Sequence, residues 1–493
     1  MSPIEAALRA LPAAALVRHI EQQRWFGARG EAITGARLVA VAPMPDTAEP
    51  AALTRVRALF ADGAARDYQL PLLLPGDGEA LRDATRSPAF HRQLARALAR
   101  GSEVATADDS VAWVFEPLTD LAQLEVLPSH PGGGEQSNTS IVYGQCAVLK
   151  LYRRLEPGPH PEVEICRFLT TRTDFRGTPP LLAVLRLTDP AGEAVAGMLQ
   201  AFVPHAVDGW QHLLAGLHDS AARCDDPGTL DAEIEALGRL TAELHAALAS
   251  DPTAPDFAPR PTAPADLERW REAADAQLTS TLARLARQPA DALAAQVAAR
   301  TPALRTRLRA PIDPAAIGPQ RRHHGDYHLG QVLHARDGWH IIDFEGEPTR
   351  PLAGRRGFNH PIRDVAGMLR SFAYVAAVAA RDEPGAPAEA AGSREQRLRG
   401  AFLRGYDPGL ADDPDRRALL ALFETERLCY ELSYELGSRP DWAWIPLTGL
   451  VALPSCGAAS VDIRRSQRSS AARTRTCPGS AVIRRHDRRG GNV

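Results

Sequence analysis

The chain has 493 residues, enough for about three domain-sized units at roughly 150 residues each, and its 44% hydrophobic content excludes wholesale disorder. Its formal charge of −3 is unevenly spread: residues 461–493 hold nine arginines and two aspartates, a balance of +7, which leaves −10 for the rest. A mildly acidic body argues against nucleic acid as the main partner. The six cysteines are widely separated and form no CxxC pair. That fits a reduced, cytoplasmic protein better than a disulfide framework or a cysteine zinc site. Glu5 and the short apolar stretch Leu11–Val17 make the start a poor signal peptide, and no apolar run approaches the ~20 residues of a membrane span. A soluble protein with no membrane association is expected.

In chain order, a helical start is expected over Ile4–Gln23, then strand-like pieces such as Arg37–Val41, then a second helical pattern around Phe90–Arg100. From about residue 101 to 204 short apolar runs dominate. Val111–Phe115, Ile141–Tyr143, Val148–Tyr152 and Met198–Val203 predict a small sheet, with one helix at Pro161–Arg172. Beyond Pro204 the pattern turns helical. Over Asp231–Leu248, for example, Ile234, Leu237, Leu244 and Leu248 share one face. Asp251–Asp266 and Asp382–Ser393 are proline-rich and read as loops. The plan is an N-terminal module over residues 1–100, a small β-rich lobe over 101–204 and a large α-helical lobe over 205–450. A Ser/Arg-rich tail over 451–493 lacks apolar periodicity and is expected to pack poorly.

Of the 57 basic side chains, Lys150 is the one lysine. Arginine replaces lysine as a generic surface charge, but not where a compact ammonium must enter a tight site. Lys150 sits in Ala147–Tyr152, a buried-strand pattern, downstream of the glycine run Gly132-Gly133-Gly134 and the strand-like Ile141–Tyr143. A glycine loop, a strand and then a strand lysine is an order that holds nucleotide phosphates. The densest chemistry lies at His323–Leu333, followed by the strand Trp339–Ile342 and Asp343-Phe344-Glu345. Asp326 and Asp343 are thus two carboxylates joined by a loop and hairpin short enough to bring them to one cleft. Phosphoryl transfer uses one carboxylate to orient the attacking hydroxyl and another to hold Mg²⁺ against the phosphates.

These stretches resemble the aminoglycoside-phosphotransferase-like small-molecule kinases, relatives of the protein kinases, and within them the bacterial maltokinases. The closer match is carried by Glu135-Gln136-Ser137-Asn138-Thr139-Ser140, His324–Gln331, Asp343–Pro348 and Arg363–Ser371, with Arg24-Trp25-Phe26-Gly27 resembling the opening of that family's N-terminal cap. The resemblance implies an α+β, bilobal, protein-kinase-like fold with an added cap module. It implies ATP and Mg²⁺ as cofactors and phosphorylation of maltose at its anomeric hydroxyl. It also implies a link to trehalose synthase as a partner, in a chain expected to be monomeric. By the same resemblance Asp326 is the catalytic base and Asp343 the Mg²⁺ ligand, with Gln331 and Glu345 beside it. His328 orients the loop or simply packs against backbone. Gln136, Ser137, Asn138, Thr139 and Ser140 form the phosphate loop, and Lys150 pairs with the phosphates. A glutamate at the start of Pro161–Arg172 holds that lysine: Glu164 is preferred, with Glu162 as the alternative. Gln200, Phe202 and Val203 belong to a hinge whose backbone meets adenine.

Phe423–Arg439 reads as a helix rich in polar and aromatic groups. Sugars are held by charged groups on their hydroxyls and rings against their C–H faces, and the resemblance points to Tyr430, Glu431, Tyr434 and Arg439 as acceptor-site residues beside Asp326. Asp364 is expected to anchor the catalytic loop from beneath. A kinase of glucosamine, another sugar or an aminoglycoside, and an inactive nucleotide-binding scaffold, remain the competing readings.

Overall fold

The computed structural model describes residues 2–454 except 24, 27–31, 46–48, 75–80, 134–136, 224–227, 289–290, 348–349, 384, 386 and 388. Gln136, the lead of the Arg24–Gly27 motif and most of the tail lie outside the described residues.

The predicted first helix is two, α1 (Pro3–Arg9) and α2 (Ala13–Glu21). Pro12 lacks an amide hydrogen and biases the preceding residue away from helix, so the chain restarts there with Pro12 extended. These helices cover a sheet built from β1 (Ile33–Pro43), β2 (Ala51–Phe60), β3 (Ala65–Gln69) and β4 (Leu72–Leu73). Leu8, Ile20, Trp25, Phe26, Val56 and Tyr68 form the core between them. Helix α3 (Pro88–Arg100) starts on a Ser87 cap and stops at Gly101 in the left-handed region (φ 60°).

A second sheet holds seven strands. β5 (Glu103–Ala105), β6 (Ala112–Pro117), β7 (Ser129–Pro131), β8 (Asn138–Tyr143) and β9 (Ala147–Tyr152) come first in the chain. The short β10 (Arg154–Leu155) leaves this sheet to pair with β3 in the first one. After α4 (Pro161–Arg172), the hairpin β11 (Leu181–Asp189) and β12 (Gly192–Ala201) completes the order β5-β6-β11-β12-β9-β8-β7. Alternation sorts β9 by face: Leu149 and Leu151 enter the core with Phe90, Leu94 and Leu98 of α3, which leaves Lys150 and Tyr152 on the face toward α4.

The remainder is mostly helical. β13 (Val207–Asp208) leads into α5 (Gly209–Arg223), α6 (Gly228–Ala247), α7 (Pro264–Leu285), α8 (Ala292–Ala299) and α9 (Thr301–Leu308). The hairpin β14 (Val332–Ala335) and β15 (Gly338–Ile341) pairs with β13. Then come α10 (Leu352–Arg355), α11 (Ile362–Asp382), α12 (Ala390–Tyr406), α13 (Pro414–Ser438) and α14 (Trp444–Ala452). The starts of α7 and α12 fall inside stretches read from sequence as loops. Helices α6 and α12 touch through glycines: a Cβ on Gly405 would lie 1.9 Å from the Glu235 carbonyl oxygen. The bilobal α+β arrangement with an N-terminal cap is the one observed. Among the described residues no helix is long and apolar enough to cross a membrane.

Candidate active site

The loop carrying Asp326 hangs from α11. The Asp364 carboxylate accepts the backbone N–H groups of His324 (2.8 Å) and Gly325 (2.9 Å), and His245 Nε2 lies 3.1 Å away. Gly325 sits at φ 87°, and the backbone at Gly367 approaches so closely that a Cβ there would meet the Tyr327 carbonyl oxygen at 2.5 Å. Asp364 therefore anchors the loop, as expected. His324 ties the loop to the next segment: Nδ1 accepts the Asp326 N–H (3.4 Å) while Nε2 faces the Ile342 carbonyl at 2.9 Å. One imidazole thus links the segments bearing Asp326 and Asp343. Arg427 Nη2 of α13 donates to Asp326 Oδ1 at 3.0 Å. Burial opposes ionisation of Asp326, but Arg427, His328 and His324 outweigh it and hold the carboxyl below the usual aspartate range. His328 does both things the sequence left open. Its Nδ1 accepts the Gly330 N–H at 3.0 Å, and Nε2 lies 4.0 Å from Asp326.

Lys150 enters the cleft from β9 and gathers three carboxylates. Its Nζ lies 2.7 Å from Asp343 Oδ1, 2.6 Å from Glu345 Oε1 and 3.0 Å from Glu162 Oε2. Tyr152 donates its hydroxyl to the same Glu162 oxygen at 2.6 Å, and Asn138 Nδ2 donates to Glu345 at 2.6 Å. Asp343 has φ 67°, a conformation disfavoured for any residue with a Cβ. Burial, then Asp343 and Glu345, push Glu162 upward against the pull of Lys150. Burial and Asp343 likewise raise Glu345, whereas the Lys150 ammonium and the Gln331 amide outweigh burial and hold Asp343 low. Three carboxylates around one ammonium leave excess negative charge, and the ligand oxygens of Glu162, Asp343 and Glu345 lie within 4.8 Å of one another. An oxygen-rich, anionic set of this kind fits a hard divalent cation such as Mg²⁺.

Several expectations are corrected. Glu164 is not the partner of Lys150: it forms a two-pronged pair with Arg356, both contacts 2.6 Å, and reaches buried Arg322 at 3.3 Å. Two residues apart on α4, the glutamates face different ways, and Glu162 is the one turned toward β9. Thr139 points to the sheet face opposite Lys150, where its Oγ1 accepts from Arg153 at 2.8 Å. Asn138 and Ser140 share the face of Lys150, Ser140 directly opposite it in register. Ser137 Oγ accepts from Asn138 Nδ2 at 3.2 Å. The Gln200 amide turns to Cys166 and the Pro179 carbonyl, each at 3.3 Å. The Phe202 N–H is occupied by the Cys146 carbonyl at 2.9 Å, and Val203 is half-buried just beyond β12. Glu431 is drawn to Arg370 at 3.1 Å, and Arg439 to Glu435 at 2.7 Å, over the Tyr434 and Trp442 rings. Neither lines the cavity described next. Arg427, the partner of Asp326, is not among the site residues that the sequence points to. The two residues are 101 positions apart, and no local signal joins them.

A cavity of about 480 Å³ opens beside Gly325 and Tyr327, walled by Arg427, Tyr430 and Tyr434 of α13 and by Glu347 and Glu426. Its size falls within the roughly 300–1,000 Å³ of small-molecule sites. Its two glutamates are matched by guanidiniums, Arg363 to Glu426 at 2.7 Å and Arg350 to Glu347 at 2.5 Å.

The sequence profile described as "Phosphotransferase enzyme family" matches residues 127–420, which includes Lys150, Asp326 and Asp343. The chain belongs to that family. Ahead of it, residues 19–97 of this phosphotransferase match a profile described as "Maltokinase N-terminal cap domain". The phosphotransferase is 34% identical over 325 residues to a glucosamine kinase of Mycolicibacterium smegmatis, covering 65% of this chain and 78% of that protein. It is 29% identical over 406 residues to a glucosamine kinase of Streptacidiphilus jiangxiensis, covering 78% of this chain and 85% of the other. A crystal structure of glucosamine kinase (crystal form B) shares the fold with TM-score 0.70 at 24% identity, over 91% of this chain and 99% of that one. Another, in complex with glucosamine, ADP and inorganic phosphate, gives TM-score 0.68 at 24% identity, over 92% and 100%. The family makes this chain a phosphotransferase, and both relatives named here are glucosamine kinases.

Proposed function

We propose that the protein uses ATP and Mg²⁺ to phosphorylate a hydroxyl of glucosamine. The observation that carries the reaction is the meeting of Lys150, Asp343 and Glu345 on one side of His324 with Asp326 and its cavity on the other. Asp343 and Glu345, with the Gln331 amide, would hold Mg²⁺, which neutralises charge on the β- and γ-phosphate oxygens. Glu162 and Tyr152 keep the Lys150 ammonium aimed at those phosphates. Asn138 and Ser140 lie beside the lysine on the phosphate face.

The acceptor hydroxyl is aligned by Asp326. Its oxygen bonds to the γ-phosphorus as the bond to the β–γ bridging oxygen breaks, ADP departs, and the hydroxyl proton passes to Asp326. Because Arg427 keeps Asp326 ionised and weakly basic, proton transfer comes late, after most of the phosphoryl transfer, as a loose transition state allows. Tyr430 and Tyr434 offer ring faces to the sugar. On this reading residues 1–100 serve as cap, 101–204 bind nucleotide and 205–450 position the acceptor.

Glucosamine is favoured as acceptor by the names of both curated relatives, and ATP as donor by the ADP in the related complex. A second reading, maltose phosphorylated at its anomeric hydroxyl, is favoured by the cap profile and by the guanidinium partners of Glu347 and Glu426, which leave neither of these glutamates spare for an ammonium. ADP release measured with glucosamine, maltose, glucose, trehalose and kanamycin separates them. At least tenfold higher kcat/KM for glucosamine supports the first reading, and the reverse ratio supports the second. Turnover of none removes both. Asp326→Asn should lower kcat by roughly 10²–10⁴ while ATP still binds; full turnover in that variant would eliminate the base.

A further inference from the structure

We propose a second metal site, of the zinc class, formed by His212, Glu233 and His334, a residue set separate from the phosphate cluster. The three residues come from α5, α6 and β14 respectively, and their ligand atoms lie within 4.8 Å of one another. His212 Nε2 is 2.8 Å from Glu233 Oε2, and the two imidazoles stack with centroids 3.9 Å apart and planes 21° from parallel, so one ring would turn out of the stack to aim both lone pairs at one ion. Two imidazoles and one carboxylate are a donor set that zinc and its neighbours prefer over Mg²⁺, whose ligands are oxygens. The His212 and Glu233 side chains remain 25% and 30% exposed, so solvent reaches the cluster and water completes four-coordination.

The surroundings hold the donors in place. Trp339 stands opposite His334 in the β14–β15 register, donates Nε1–H to the Glu233 carbonyl at 2.9 Å, and meets both imidazoles edge-on. Gly209 lets α5 start hard against the hairpin: a Cβ there would be 2.6 Å from the Val332 side chain of β14. That approach sets His212 over His334. A metal here would clamp α5 and α6 onto the hairpin whose two ends carry Gln331 and Asp343, a structural role distinct from phosphate chemistry.

The test uses the full chain, stripped with chelator and then saturated with Mg²⁺ so that the phosphate cluster does not compete. Zn²⁺ is titrated by calorimetry and Co²⁺ by its visible spectrum. The wild type should bind one more equivalent of Zn²⁺ than His212→Gln, Glu233→Gln or His334→Gln, and Zn²⁺ should raise its Tm but not theirs. Co²⁺ should give intense four-coordinate bands without the thiolate charge-transfer band that tail cysteines would add. Trp339→Phe keeps all three donors and should weaken affinity by roughly 10–100-fold, which keeps the idea testable should a histidine variant fold poorly. Equal zinc stoichiometry in wild type and all three donor variants, or a thiolate band that accounts for all the bound cobalt, would overturn the site.

Discussion

Replacing Arg427 by methionine keeps most of the stem's packing and removes the charge beside Asp326. Two unit charges about 4 Å apart at an effective dielectric of about 20 interact by about 4 kcal/mol, close to 3 pK units as a ceiling. The pair is partly wet, with Arg427 and Asp326 side chains 22% and 19% exposed, so roughly 1–2 units is the expected share. The sign follows from burial: with Arg427 gone, desolvation of Asp326 is opposed only by His328 and His324, and its pKa rises. Asp326 works as the carboxylate, so the acid limb of the kcat/KM profile should move up by that same ~1–2 units. Arg427→Lys, which keeps a cation, should fall between. In the wild type the depressed pKa also stabilises the fold above the unfolded aspartate value, an advantage lost as pH falls through the folded one. The assay is ADP release against pH with saturating nucleotide. A fall in kcat with an unmoved acid limb would show that Arg427 acts only on the acceptor and would refute the electrostatic argument.

Glu162→Gln and Glu164→Gln should behave oppositely. The first removes the buried partner of Lys150 and is expected to cut kcat/KM for ATP roughly 10–100-fold. The second should leave ATP kinetics near wild type but cost about 2–4 kcal/mol in denaturant unfolding, because it strands Arg322, whose side chain is 2% exposed; exchanged phenotypes would restore Glu164 as the partner. Gly405→Ala places a methyl 1.9 Å from a backbone oxygen of α6 and should destabilise by about 3 kcal/mol or more, with urea midpoints as the readout and an unchanged midpoint as the contrary result. Burial holds His360 down at about 4, with Nε2 facing the Ile317 carbonyl (2.8 Å) and Nδ1 accepting the Ile362 N–H (3.2 Å). The unfolded chain therefore binds the extra proton first, and stability should decline as pH drops below about 6.5, by on the order of 2 kcal/mol at pH 5. His360→Gln should flatten that decline, and an identical slope in the variant would argue against it.

The elements that sequence made legible were those with short-range signatures. Lys150 stood out because arginine had filled every other basic position, and Asp326 and Asp343 because a loop and hairpin separate them. The orientation of the α4 glutamates was not legible. It depends on Arg322 and Arg356, more than 150 residues away, drawing one carboxylate off while Tyr152 and Lys150 take the other. The resemblance pointed to Tyr430, Glu431 and Tyr434 together, but packing against α11 turns Glu431 to Arg370 and away from the cavity. Strand β11 was missed although Leu181–Leu187 is strongly apolar, and the single proline at position 12 was enough to divide one expected helix into two.

The first sheet is sewn to the second. Strand β10 continues directly from β9 into pairing with β3, and Gln69 reaches across to the Tyr152 and Ala196 carbonyls while accepting from Trp113. Arg153, next along from Tyr152, locks onto Asp83 and Thr85. Any rocking of the β-rich lobe must therefore carry the N-terminal module as a passenger. The short crossing between β12 and β13, where His205 sits at φ 56°, is the next link in the chain. A ligand or antibody fragment that seizes the outer face of that module would therefore be tied to the β-rich lobe without ever touching the cleft.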